Sequence, residues 1–201
     1  PDIQINGIKK ICNCDTKSGD MSLIPINLCD GESQIASYLG GYFSDGNDTL
    51  QFVLHDGNGK SLGTIFAKST SPFFDLNIIN GIVKGKTYYI SAIAGDNIGN
   101  QVDLNDLCLK VSIGTPIQLN EKPTAIISGN NTICYGDTSV LTITVTGTPP
   151  FVLKYEEGGN INTLNFSTST IEIYANPASS TSYNLLNIKD KYCNSTLNQN
   201  F

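Results

Sequence analysis

Six cysteines have the clearest chemistry in this 201-residue chain. No two of them form a Cys-x-x-Cys pair and the chain has one histidine, whereas zinc sites are usually built from closely spaced ligand pairs that often include histidines. Widely spaced cysteines of even number favour disulfides in an oxidising compartment. Cys134 and Cys193 bracket one strand-rich segment, so we expect a bridge between them. Because a Cys12–Cys14 bridge would be strained, we expect one of that pair to bond Cys29 and the other Cys108, in either order.

Two acidic segments offer closely spaced oxygen ligands, as a hard cation such as Ca²⁺ requires. The first is Asp-Gly-Asn-Asp at 45–48, and the second contains Asp96, Asp103, Asn105 and Asp106. Neither has the twelve-residue EF-hand spacing, and Asp and Asn are also common in ordinary β-turns. We expect the second segment to be the better Ca²⁺ candidate because it lies near Cys108. No other cofactor is expected.

His55 is the only histidine, so a serine or cysteine hydrolase would have to use it. It stands beside the turn residues 56–59, where we expect a solvated side chain at a strand end. Nucleophile-elbow, zinc-protease and phosphate-loop motifs are absent from the sequence. We therefore expect no enzymatic activity.

The net charge of −6 argues against a nucleic-acid partner, which needs a basic face. All twelve basic residues are lysine, so the chain also lacks the bidentate arginine that phosphate recognition prefers. No run of 18 apolar residues occurs, and we expect no membrane insertion.

Alternation of apolar and polar residues predicts strands and no helices, so the expected fold class is all-β. The clearest strands are 50–54, 61–66, 86–94, 107–113, 140–145 and 183–188. The first two flank Asp-Gly-Asn-Gly at 56–59, which favours a hairpin because these residues accept positive φ. A break in pattern at 120–124 separates a first domain at 12–121 from a second domain at 122–201, and residues 1–11 are expected to be a linker or the end of a preceding domain.

Short motifs in both halves resemble modules of the very large cell-surface proteins of gliding, Bacteroidetes-type bacteria, which the type IX secretion route exports. In the first half these motifs are Phe52–Gly59, Tyr88–Gly95, Val102–Leu109 and Gly114–Pro116. In the second half they are Pro123–Gly129, Gly147–Phe151 and Tyr192–Cys193. The second set is similar to immunoglobulin-like repeats found in tandem in those adhesins.

The resemblance implies two tandem immunoglobulin-like β-sandwiches, stapled by disulfides and displayed outside the cell. It implies a non-enzymatic stalk, spacer or adhesive segment of a larger secreted protein or filament. Its partners would be neighbouring domains of the same chain, further copies of the chain, or a surface glycan or protein. The alternative is a calcium- or glycan-binding module of a secreted protein. The family supplies no catalytic residues.

Four positions are candidate glycosylation sites. Asn130, Asn165 and Asn194 each begin an Asn-x-Ser/Thr pattern. Thr49 follows Asp48 and precedes Leu50, which resembles the O-glycosylation acceptor of the same bacterial group. In so Asn-rich a chain the Asn-x-Ser/Thr pattern also arises by chance, so these positions are candidates only.

Overall fold

The structure is a computed structural model that describes residues 14–201, so Cys12 and the whole of the expected linker at 1–11 lie outside it. The described chain is all-β, as predicted, and has sixteen strands. Their bounds are β1 (Lys17–Met21), β2 (Ile26–Cys29), β3 (Tyr38–Phe43), β4 (Asp48–His55), β5 (Ile65–Ser69), β6 (Thr87–Ile98), β7 (Gln101–Val102), β8 (Lys110–Val111), β9 (Thr115–Asn120), β10 (Thr124–Ser128), β11 (Ser139–Thr146), β12 (Phe151–Glu157), β13 (Asn160–Phe166), β14 (Thr170–Ala175), β15 (Tyr183–Lys189) and β16 (Asn194–Asn200). Within this range there is no helix of the length and apolar character needed to cross a membrane.

The chain divides into two compact units. Among the described residues, the first unit takes 14–26, Ser33–Ile82 and Thr87–Ile117. The second takes Asn27–Glu32, Val83–Lys86 and Gln118–Phe201. The second unit thus recruits two short segments that lie far from its main segment in the sequence, and nothing in the sequence places them there.

The first unit is organised around the long strand β6. In its main sheet β6, β4 and β5 are hydrogen-bonded in that order, with β7 and β8 also pairing with β6, and a smaller sheet pairs β1 with β3. Register places Phe52 opposite Ala92 and Leu54 opposite Ile90, so these four side chains share one face. That face is buried, and the edge of the Phe52 ring meets the Tyr38 ring of β3 at 5.3 Å between centroids.

The opposite face of β4 and β6 is buried as well. Val53 and Ile93 form a fully buried cluster with Val102, and partly buried side chains from the connecting segments cover it. These covering residues are Leu62, Ile65, Leu104, Leu109 and Val111. Because both faces are covered, all the residues of β4 from Gln51 to His55 are buried.

The second unit is a β-sandwich of two antiparallel sheets. One sheet has the order β10-β11-β14 and the other β13-β12-β15-β16. Alternate residues of β11 (Leu141, Ile143 and Val145) pack in one core with Leu153 of β12 and Ile188 of β15. This alternation of buried and exposed positions is the period-2 pattern from which the strands were predicted.

Most of the predicted strands are present, including 140–145, 183–188 and 86–94, the last extended to Ile98. The hairpin across 56–59 is also present, although its second strand begins at Ile65. The strand predicted at 107–113 is wrong, because only Lys110–Val111 pairs with β6. Leu109 and Val111 are apolar because they cover the Val53 cluster, a packing role that the alternation does not distinguish from a strand.

Candidate functional site

An acidic site lies in the first unit where β4 begins and β6 approaches its end. Antiparallel register puts Asp48, the first residue of β4, directly opposite Asp96 of β6. The segment after β7 then returns to this place, and Asp106 Oδ2 accepts a hydrogen bond from the backbone N–H of Asp96 at 2.9 Å. The two acidic segments, which are separate calcium-site candidates in the sequence, therefore lie together at the start of β4.

Three carboxylates form the centre of this site. One oxygen each of Asp48, Asp96 and Asp106 lies within 4.8 Å of the other two. Asp96 is exposed, whereas Asp48 and Asp106 are half-buried. Within residues 14–201, no lysine lies close enough to these three carboxylates to form an ion pair.

Neighbouring groups hold two of the carboxylates in place. Asp106 Oδ1 accepts from the backbone N–H of Cys108 at 2.8 Å, next to the Cys14–Cys108 disulfide. The Thr16 hydroxyl is 2.5 Å from Asp48 Oδ2 and 3.0 Å from Asp45 Oδ1. The disulfide and Thr16 therefore attach the segment just before β1 to the acidic site.

Asp45 borders the site as a fourth carboxylate. Its Oδ2 accepts from the backbone N–H of Asp15 at 2.8 Å. This bond, followed by the one with the Thr16 hydroxyl, lowers the pKa of Asp45 because both donors favour the charged form. Asp45 therefore contributes a negative charge beside the three clustered carboxylates at neutral pH.

The predicted ligand set Asp96, Asp103, Asn105 and Asp106 is only partly brought together. Asp96 and Asp106 are in the cluster, and Asp48 takes the third place. Asp103 instead forms a turn, in which its Oδ1 accepts from the backbone N–H of Asn105 at 2.9 Å. Asp48 belongs to the other acidic segment, 45–48, which the sequence also identifies as a candidate. The sequence does not reveal that β4 pairs with β6, which is what places Asp48 beside Asp96.

Chemically, the cluster offers carboxylate oxygens only, the ligand type that Ca²⁺ prefers. With one ligand oxygen from each carboxylate, the cluster supplies three of the six to eight oxygens that Ca²⁺ takes, and the exposure of Asp96 leaves room for water to supply the rest. The donor set therefore fits a hard cation and does not fit zinc, for which His or Cys ligands would be usual.

The disulfides differ from the predicted pairing. Cys14 bonds Cys108, which is one of the two alternatives expected for that pair. Cys29 bonds Cys193, so the expected bridges from Cys134 to Cys193 and from Cys29 to the 12–14 pair are both wrong. Cys134 is a free, exposed thiol, and Cys12 lies outside the described residues.

The length of β11 explains why Cys134 and Cys193 do not bond. Cys134 precedes β11, whereas the turn after β11 contacts the turn that carries Cys193: Lys191 donates its backbone N–H to the Thr148 carbonyl at 2.9 Å. The eight residues of β11 span roughly 25 Å at ~3.4 Å per residue. A disulfide needs Cα atoms within about 7 Å. Cysteines that bracket a sandwich in sequence can thus lie at opposite ends of it.

His55 is fully buried, so the expectation of a solvated strand-end side chain is wrong. It shares a face with Val53, and its ring stacks on that of Tyr89, directly opposite on β6, at 6.0 Å between centroids. Its Nε2 is 2.8 Å from the Ser91 hydroxyl, while Nδ1 has no hydrogen-bond partner. His55 and Ser91 therefore lack the carboxylate that orients the histidine of a catalytic triad. Their burial also leaves no access for a substrate.

The candidate glycosylation positions differ in accessibility. Asn130, Asn165 and Asn194 are exposed, on the loop after β10, on β13 and at the start of β16. Thr49 is half-buried on β4, opposite Gly95 of β6. All four stay predictions, with the three asparagines easier for a glycosylating enzyme to reach.

Comparison with known proteins identifies no family. No family model matches the chain. No curated protein matches it either. Among solved structures, it is similar to one described as giving insight into host cell surface retention of a 1.5-MDa bacterial ice-binding adhesin. That likeness has a TM-score of 0.35 and 12% identity, and covers 90% of this chain and 63% of the other. At these values it carries no functional argument.

Proposed function

We propose that this chain is a non-enzymatic structural segment of a larger protein exported to the cell surface. The observation that carries the proposal is the pair of disulfides, which close sequence separations of 94 and 164 residues in an all-β chain. Such bonds persist in oxidising compartments and are rare in the cytosol. A sandwich closed in this way suits a stalk or spacer that must resist unfolding and proteolysis.

The energetic effect of these bonds supports the same role. In the chain-entropy model, closing loops of these lengths destabilises the unfolded chain by about 5 kcal/mol each when the bonds are taken separately. That is comparable to the whole stability of a small domain. His55 and Ser91 are buried, and no carboxylate accepts a hydrogen bond from His55 Nδ1, which supports a role without catalysis.

The finer assignment follows the sequence resemblance. We propose two tandem immunoglobulin-like sandwiches from a Bacteroidetes-type surface protein of the type IX route, with neighbouring domains, further copies or a surface glycan or protein as partners. The strand orders β10-β11-β14 and β13-β12-β15-β16 support this assignment for the second unit, because two such antiparallel sheets are typical of immunoglobulin-like domains.

Antibody labelling of the cells that make the protein tests the proposal. Antibodies raised against the folded chain should label intact cells, and brief protease treatment of those cells should remove the label. Alkylation before denaturation should leave Cys14, Cys29, Cys108 and Cys193 unmodified. Labelling only after permeabilisation, together with four reactive thiols at these positions, would refute a surface role.

The acidic site favours a second candidate function, calcium binding. The specific observation is that two acidic segments far apart in the sequence are joined by the register of β4 and β6, with no lysine from the described chain neutralising them. Extracellular modules bind Ca²⁺ with Kd values of about 10⁻⁴–10⁻³ M. A bound ion would link Asp48 at the start of β4 to Asp106 in the segment that carries Cys108, and so stabilise their contact.

Calorimetric titration with CaCl₂ tests this second candidate. The native protein should bind one ion in that affinity range, and Asp48→Asn should weaken binding at least tenfold. Asp20→Asn is the matched control, since Asp20 is an exposed carboxylate of β1 outside the cluster. Equal heats for the native protein and Asp48→Asn would exclude the site.

A further inference from the structure

The two disulfides interleave along the chain. In sequence order the four cysteines are Cys14, Cys29, Cys108 and Cys193, and the first bonds the third while the second bonds the fourth. Neither closed loop lies inside the other. The chain therefore offers more than one covalent route from Cys14 to Cys193, and the routes differ greatly in length.

The shortest route leaves out most of the fold. It follows about 15 residue steps from Cys14 to Cys29 and then crosses to Cys193 through a bond whose Cα atoms are 5.6 Å apart. Only β1 and β2 lie on this route, and β16 lies beyond it. The strands from β3 to β15 all belong to the bypassed loop, which spans 164 residues in sequence.

We propose that the Cys29–Cys193 bond is a covalent bypass, which carries tension applied along the chain past the buried strands of both units. Covalent tension follows the shortest taut path, so the bypassed chain cannot be drawn out while the bond is intact, and force reaches its strands only through hydrogen bonds such as those that pair β1 with β3 and β15 with β16. Without either disulfide, stretching could draw out about 570 Å of additional chain at ~3.5 Å per extended residue. The bypass itself follows from the disulfide connectivity; only its biological purpose rests on the proposed surface function.

The Cys14–Cys108 bond provides a reserve route. From Cys14 it crosses 5.1 Å between Cα atoms to Cys108, from which about 85 residue steps lead to Cys193. This path stays slack while Cys29–Cys193 is intact, because it is longer by about 70 residue steps. Loss of Cys29–Cys193 would then lengthen the chain by roughly 250 Å before the reserve became taut.

Burial protects the bypass. Cys29 is 5% exposed and Cys193 is 2% exposed. Thiol–disulfide exchange requires a thiolate to reach one of the sulfur atoms, so the native fold shields this bond from soluble thiols. The backbone N–H of Cys193 also donates to Asp190 Oδ1 at 2.6 Å, which fixes the turn that carries the bond.

Single-molecule pulling between handles on the two ends of the chain tests the bypass. All proteins carry Cys134→Ser to prevent bonding between copies. The Cys14→Ser/Cys108→Ser variant should reach the same full extension as the parent. Cys29→Ser/Cys193→Ser should gain roughly 250 Å, and the fourfold variant roughly 570 Å.

These lengths depend on covalent connectivity, so they remain decisive if a variant folds poorly. A parent that extends by several hundred ångströms, or a gain in the Cys14→Ser/Cys108→Ser variant, would overturn the bypass. The expected lengths together with an intracellular location would uphold the bypass and reject the proposed surface function. Surface location with a long parent extension would reject the bypass alone.

Discussion

Asp190 and Thr148 are 42 residues apart, and Oδ2 of Asp190 accepts a hydrogen bond of 2.8 Å from the backbone N–H of Thr148. Oδ1 of the same carboxylate accepts from the backbone N–H groups of Tyr192 and Cys193 at 2.8 and 2.6 Å. Asp190 is only 5% exposed. One buried carboxylate thus joins the turn after β11 to the turn before β16.

We predict that Asp190→Ala lowers the free energy of unfolding of the second unit by about 2–4 kcal/mol. Three charge-assisted bonds are lost, and their backbone donors stay partly buried without a partner. Asp190→Asn, which retains one acceptor oxygen, should cost about 1–2 kcal/mol. Urea unfolding with the disulfides intact measures both values.

Asp137→Ala serves as the control for this series, because Asp137 is an exposed carboxylate of the same unit. Its effect should stay within about 0.5 kcal/mol. Equal effects of Asp190→Ala and Asp137→Ala would show that the carboxylate does not hold the two turns together.

Cys134 should be the fast-reacting thiol of the described chain. It is exposed and free, whereas Cys14, Cys29, Cys108 and Cys193 are bonded. Iodoacetamide should modify Cys134 in the native protein, and peptide mass mapping should find the four bonded cysteines unmodified until reductant and denaturant are added. A Cys134–Cys193 peptide in the map would contradict the structure.

The strands were predictable because their signal is local. In β11, Leu141, Ile143 and Val145 alternate with threonines, and this alternation predicts both the strand and the face that packs in the core. The long-range contacts had no such signal. The partner of Cys193 is 164 residues away, and only the folded chain brings Cys29 to it.

The acidic site shows the same division. Each acidic segment was visible in the sequence, but their meeting depends on the register that places Asp48 opposite Asp96. His55 shows the converse error. Its neighbours Asp56 and Gly57 indicate a turn, yet it is fully buried and contacts Tyr89 and Ser91 of the paired strand β6. Neither outcome is encoded within a few residues of the site.

Tyr183 should titrate well above an ordinary tyrosine. Burial, and then the hydrogen bond that its hydroxyl donates to Glu157 Oε1 at 2.7 Å, raise its pKa to about 12. Since an unfolded tyrosine ionises near pH 10, stability should fall as the pH rises from about 10 to 12. Glu157→Gln keeps an acceptor but removes the negative charge, so it should lower the Tyr183 pKa.

Ultraviolet titration of tyrosinate absorbance measures this effect. The difference between the native protein and Tyr183→Phe isolates the Tyr183 signal from that of the other tyrosines. The same subtraction in the Glu157→Gln background should show its midpoint at lower pH. An unmoved midpoint would mean that burial alone sets the Tyr183 pKa.

Mild acid should destabilise the first unit through His55. Burial lowers the pKa of His55 below 6.5, because the charged imidazolium would lose its hydration in the core. As the pH falls through 6.5, the unfolded chain takes up a proton that the folded chain does not. Stability is therefore complete above this pH and declines below it, by at most about 1.4 kcal/mol per pH unit.

Urea unfolding at pH 7.5 and pH 5.5 measures the decline, with His55→Gln as the matched variant. Glutamine retains a polar group for the Ser91 hydroxyl and cannot gain a proton, so the variant should lose on the order of 1 kcal/mol less than the native protein across this interval. The comparison separates His55 from the carboxylates, whose protonation affects both proteins alike. Parallel losses would show that His55 is protonated equally well in the folded and unfolded chain, contrary to its burial.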